Sequence, residues 1–187
     1  RLDLRNALHT LAGWTRIEAH LHDAERLATM LDDQRRLGWV SAYLGGHHVH
    51  TGGPVGEVRT WAQRVAAIAE CLGDGPLQIA AQYYLALASH LSGDYRASEQ
   101  ACRTLMQSLH GQPTGERFGL ATVPAVHARA FLARTLAERG VFDEGDAHGH
   151  EAIRLAEALE HPFSVVVGCL DLAYLKSVRG ELRHAAG

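Results

Sequence analysis

The stretch Leu85-Ala86-Leu87-Ala88-Ser89-His90-Leu91-Ser92-Gly93-Asp94-Tyr95 decides the fold. It sets a Leu beside a small residue and places a Gly eight positions past the Leu. The same frame recurs as Leu44-Gly45 to Gly52, Leu132-Ala133 to Gly140 and Leu172-Ala173 to Gly180, with a weaker first copy at Leu11-Ala12 to Ala19. The copies start 33, 41, 47 and 40 residues apart. On a helix, the Leu and its small neighbour lie on the packed face, where Gly or Ala admits a second helix at close range. Two turns later the Gly can take the left-handed conformation that ends a helix. An apolar residue two positions further on, Leu21, Tyr95, Phe142 or Leu182, starts a returning helix; Pro54 fills that position in the second copy and suits a first turn.

The returning helices also end alike. Leu27-Ala28-Thr29-Met30-Leu31-Asp32-Asp33, Ile68-Ala69-Glu70-Cys71-Leu72-Gly73-Asp74 and Leu155-Ala156-Glu157-Ala158-Leu159-Glu160-His161 share an aliphatic-Ala-x-x-Leu stripe and then a polar stop. Pro76 and Pro162 follow the last two, where the next helix starts. The spacing predicts first helices over 3–18, 34–51, 76–92, 123–139 and 163–179, and second helices over 20–32, 54–72, 94–110, 142–160 and from 181 onward. Grouped as hairpins, these give one repeat domain over 1–187 with repeats at 3–32, 34–72, 76–110, 123–160 and a shortened 163–187. The Gly- and Pro-rich run Gly111-Gln112-Pro113-Thr114-Gly115 opens an inserted loop over 111–122. The last helix stops at Ala185-Ala186-Gly187, so the chain reads as a piece of something longer, with an uncapped apolar strip of Val165, Leu172 and Val178.

Composition agrees with a packed helical chain. Hydrophobic residues make 47% and charged residues 21%, enough apolar surface to bury a core. A formal net charge of −3 argues against the basic surface that direct nucleic-acid binding needs. No apolar run approaches the ~20 residues of a membrane span, and Arg1-Leu2-Asp3-Leu4-Arg5 has no signal-peptide core. Cys71, Cys102 and Cys169 are far apart in apolar helical runs, which predicts buried free thiols in a reducing cytoplasm.

The repeat resembles the tetratricopeptide repeat (TPR) family. Ser92-Gly93-Asp94-Tyr95 matches that family's turn, and Ala24, Ser98, Gly145 and Ala185 match its small position three residues past the turn hydrophobe; Glu57 departs from it. The resemblance implies an all-α, right-handed α-solenoid of TPR-like antiparallel hairpins whose first helices line a concave surface. Runs such as Asp33-Gln34-Arg35-Arg36-Leu37-Gly38-Trp39-Val40-Ser41-Ala42-Tyr43-Leu44 and Glu116-Arg117-Phe118-Gly119-Leu120 look like the helical region after the ATPase module of large bacterial signalling proteins. Some of those begin with a class III adenylate/guanylate cyclase domain; others are ATP-dependent transcriptional regulators. That likeness implies a cytoplasmic, non-catalytic regulatory module for a protein or peptide segment, including other domains of the same polypeptide. The alternative is a small-ligand sensor controlling an attached ATPase or nucleotide cyclase. No G-x-x-x-x-G-K-[ST] loop occurs in the chain.

Thirteen histidines invite a metal reading. His47 and His50 are three apart and could share a helix face, but no H-E-x-x-H occurs, and His20, His22, His48, His148 and His150 read as exposed or helix-end imidazoles. No nucleophile with a spaced base and acid stands out, so no catalytic residue, cofactor or metal is assigned. In the register that the resemblance supplies, Trp39, Tyr83, His90, Arg134 and Tyr174 face the concave surface and form the expected partner-binding set; the alternative is that Trp39, Tyr83 and Tyr174 pack between helices as core. Trp and Tyr rings and Arg are the side chains that dominate binding hot spots. Trp14 and Trp61 are expected to pack between helices, as are Ala86, Ala133 and Gly45, which the repeat frame places at helix crossings.

Overall fold

The computed structural model describes residues 13–181, and among these every regular element is α-helical. They fall into two compact units divided between Ser92 and Gly93. The N-terminal unit contains α1 (Trp14–Met30), α2 (Gln34–Thr51), α3 (Val55–Leu72) and α4 (Gly75–Leu91). In it α1 packs on α2, α2 on α3 and α3 on α4, with α4 also reaching α2. The C-terminal unit contains α5 (Tyr95–Ser108), α6 (Pro124–Glu138), α7 (Phe142–Ala158) and α8 (Pro162–Arg179). There α6 is central, touching α5, α7 and α8, while α7 and α8 close on each other.

The repeated glycines stop the helices as their spacing predicts. Gly52, Gly93, Gly140 and Gly180 have φ of 71°, 78°, 72° and 89°, the left-handed region where a Cβ is strained. The next helix is then nucleated by a side-chain cap in several places. Asp33, Asp74 and Asp94 accept the backbone N–H of Arg36, Leu77 and Ala97 at 2.9, 3.0 and 3.1 Å. Ala86, Ala133 and Gly45 are buried at crossings as expected, with Ala86 and Ala133 at 2% and 0% exposure. A Cβ on Gly45 would lie 3.2 Å from the Cβ of Trp61.

The first hairpin is set differently from the reading above. Residues 14–30 form one uninterrupted helix, so there is no turn at Ala19. Ile17, Leu21 and Ala28 are its buried stripe with Ala24 half-buried, the same spacing as Gly145, Gly149, Ala152 and Ala156 on α7. Trp14 therefore occupies the place of Phe142, at the helix start, and the small position belongs to Ile17 instead of Ala24. The helix expected over 3–18 lies largely outside the described residues.

A second shift explains Glu57. Counted from the left-handed glycine, the next helix starts one residue later after Gly52 (Gly53 and Pro54 intervene before Val55) than after Gly140 (only Val141 intervenes before Phe142). The buried stripe on α3 is consequently Val58, Ala62, Val65 and Ala69, and Glu57 points outward to His48, Nε2 to Oε2 3.0 Å. Ser98 and Gly145 do take the small position: Ser98 is fully buried and exchanges a hydrogen bond of 3.1 Å with Thr135. Gly145 is required by close approach, since a Cβ there would stand 2.5 Å from Leu175 Cδ1 and 3.2 Å from the Ala133 carbonyl.

Residues 109–123 carry no helix, in line with the inserted loop, and Leu120 anchors them in the core. The apolar row on α8 also differs from the expected one. Leu172 is buried against Gly149 and Val165 is packed with Val123 and Val126, because α7 and α6 cover that side. The open row is Phe163, Val166, Leu170 and Val178. The shortened helix from 181 onward, with Ala185, lies outside the described residues.

Candidate functional site

The five expected partner-binding residues fall in both units. In the N-terminal unit Trp39 lies on α2, with 9% of its surface open and its ring tilted on Tyr43 at 5.8 Å between centroids. Tyr83 and His90 lie on α4; Tyr83 is half-buried and meets Tyr84 edge-on at 4.9 Å, and His90 is 9% exposed. Trp39 and His90 are thus buried by the packing of α2 and α4 instead of displayed as expected, and Tyr83 is half-buried.

In the C-terminal unit Arg134 and Tyr174 come together. The Arg134 guanidinium sits 4.4 Å above the Tyr174 ring, a cation–π stack between α6 and α8. Each has a second partner. Arg134 reaches the Asp171 carboxylate at 3.4 Å, and the Tyr174 hydroxyl donates to Glu138. The Glu138 contact raises the Tyr174 phenol above its usual range. Asp171 is 5% exposed, and burial pushes its carboxyl up to about 6, against the opposing pull of Arg134. Desolvation therefore outweighs the ion pair. Cys102, buried nearby on α5, is pushed up to about 12 by burial and secondarily by Asp171, so its thiol stays protonated and is a poor nucleophile.

The other cysteines are not buried as the sequence suggested. Cys71 on α3 and Cys169 on α8 are free and exposed. The histidines also divide differently: His47, His90 and His127 are buried, at 5%, 9% and 8% exposure. His47 lies under α1, its Nε2 3.7 Å from Glu18, while Trp14 stacks on His50 at 5.4 Å. The His50 Nδ1–H donates to the Gly46 carbonyl at 2.6 Å, which directs that nitrogen away from chelation with His47. Among the described residues no three His, Cys, Asp or Glu side chains converge to hold a metal ion. No helix among them is long and apolar enough to cross a membrane.

No protein-family model and no curated protein sequence matches the chain. Among solved structures it is similar to the kinesin light chain nearly identical TPR-like repeats of Podosopora anserina. The TM-score is 0.67 at 15% identity, over 99% of this chain and 88% of that one. The fold is that of a TPR-like helical repeat protein, reached with a largely different set of side chains.

Proposed function

We propose that the chain is a non-catalytic, cytoplasmic interaction module of a larger bacterial signalling protein, binding an extended or helical protein segment along the faces of its first helices. Stacked helical hairpins present long arrays of side chains, and such arrays recognise peptides through a few anchors. The observation that carries the reading is the Arg134–Tyr174 stack, half-exposed and braced from behind by Asp171 and Glu138. A braced aromatic–Arg pair gives large contact area with little rotamer entropy left to lose. Tyr83 supplies a second, half-buried ring in the N-terminal unit, where Trp39 and His90 are buried. The signalling context rests on the resemblance of 33–44 and 116–120 described above.

The test is a peptide-array screen of the purified chain followed by titration of any hit against the double variant Tyr83→Ala, Arg134→Ala. Loss of binding at an unchanged melting temperature supports the assignment. Loss of folding would show both residues to be structural and remove the proposed site.

A further inference from the structure

Beyond that surface, the C-terminal unit has an open hollow of about 600 Å³ between α5 and α6, lined by Arg103, Met106, Gln107, His110 and Arg129. Its charge balance sets it apart. Arg103 is held by Glu99 at 2.9 Å and Glu144 at 2.6 Å, Arg139 by Glu99, and Arg154 by both oxygens of Glu151 at 2.6 and 2.7 Å. Arg129 differs. It donates once, to the Ala125 carbonyl at 2.7 Å, and has no carboxylate within 4.0 Å among the described residues. Four of its five N–H donors are left for a ligand. Gln107 and His110 add exposed polar groups on the same rim, and half-buried Met106 provides an apolar wall.

We propose that this hollow binds a carboxylate group carried on an aliphatic stem, with Arg129 as its counter-charge. The planar guanidinium matches a carboxylate through two parallel N–H···O bonds, and Met106 takes the stem. A single cation with no carboxylate in ion-pair reach, its field shared only at longer range with Glu151, selects a monoanion: a phosphate dianion would need a second free cation, and Arg103 is already shared by two glutamates. A reporter stands beside the site. His148 on α7 is held below the usual imidazole value by burial, and Arg103 and Arg129 add to that effect against the pull of Glu144. An anion that neutralises Arg129 removes part of that effect, so His148 should titrate at higher pH when the hollow is filled.

The experiment is NMR of the whole chain, following the Arg129 Nε–H and the His148 ring during titration with pentanoate, with a blocked glutamate-containing peptide, with inorganic phosphate and with chloride. Saturable shifts in a range around 1 mM are expected for pentanoate or the peptide, with the His148 midpoint moving up. The tighter of the two identifies whether the natural source is a free acid or an acidic side chain. Arg129→Gln should abolish the His148 shift; Arg129→Lys, which keeps the charge and loses the fork, should weaken it several-fold and serves if the Gln variant misfolds. Equal response to chloride, tighter binding of phosphate, or shifts that survive in both variants would each overturn the proposal.

Discussion

Asp171→Asn should make the protein more stable at neutral pH and leave its relative stability unchanged in acid. The wild-type carboxyl sits at 5% exposure on α8 and, because of burial, titrates at about 6 instead of the usual 3.8. Between those two values the folded chain holds a proton that the unfolded chain has released, so stability falls as pH rises. Below 3.8 both states are protonated and the loss vanishes; above about 6 both are ionised and it is complete. At about 1.4 kcal/mol per pH unit, the difference between the two values corresponds to about 3 kcal/mol. Asn reproduces the protonated form at every pH. Loss of the Arg134 ion pair is already contained in that difference, because Arg134 opposes burial in setting the Asp171 value. Urea unfolding of both proteins from pH 4 to 8 measures the effect through the pH dependence of their difference. Far-UV circular dichroism reports on both units, whereas Trp14, Trp39 and Trp61 all lie in the N-terminal unit, so tryptophan fluorescence isolates that one. A difference that is flat with pH, or that favours wild type increasingly as pH rises, would show that the Arg134 pair outweighs desolvation and refute the reasoning.

Three further outcomes are expected. Val58→Ala should cost about 2 kcal/mol in denaturant titration while Glu57→Ala costs under about 1, since the extra turn residue puts Val58 in the crossing and Glu57 in solvent. Ala86→Leu and Ala133→Leu should each destabilise by about 1–3 kcal/mol through overpacking at fully packed crossings, visible as a lower urea midpoint. His47 is held below its usual 6.5 by burial, so the unfolded chain binds more protons as pH drops below that value and stability declines with acid; His47→Phe should flatten this part of the profile in thermal melts at pH 5 to 7.

The hairpin register was legible wherever two sequence signals agreed. Gly93, Gly140 and Gly180 mark turns, and the buried stripes follow from them by simple counting. Where the signals conflicted, the end of the returning helix was the better guide. Aligning Leu27-Ala28 with Leu155-Ala156 and counting back places the first turn just before Trp14, as the structure does; Ala19 has a small side chain but no reason to leave helical geometry. The same counting from Ile68-Ala69 gives Val58 in place of Glu57. The Arg129 hollow was not legible, because nothing in the order of residues says which arginines are neutralised. Arg103, Arg139 and Arg154 find carboxylates on neighbouring turns or helices, and only the packed geometry leaves Arg129 without one.

The two glycines that let α7 approach its neighbours have a cost that bears on folding order. Gly145 and Gly149 sit in the interior of a 17-residue helix, each lowering intrinsic helicity by about 1 kcal/mol relative to Ala. The close approaches that offset this are Gly149 to Leu172 on α8, and Gly145 to Leu175 on α8 as well as to the Ala133 carbonyl on α6, so the offset is complete only once α8 has arrived. By contrast α6, rich in Ala and Leu, has no glycine. Pulse-labelled hydrogen exchange during refolding should therefore protect the amides of α6 before those of α7, with α7 condensing last between two helices already in place.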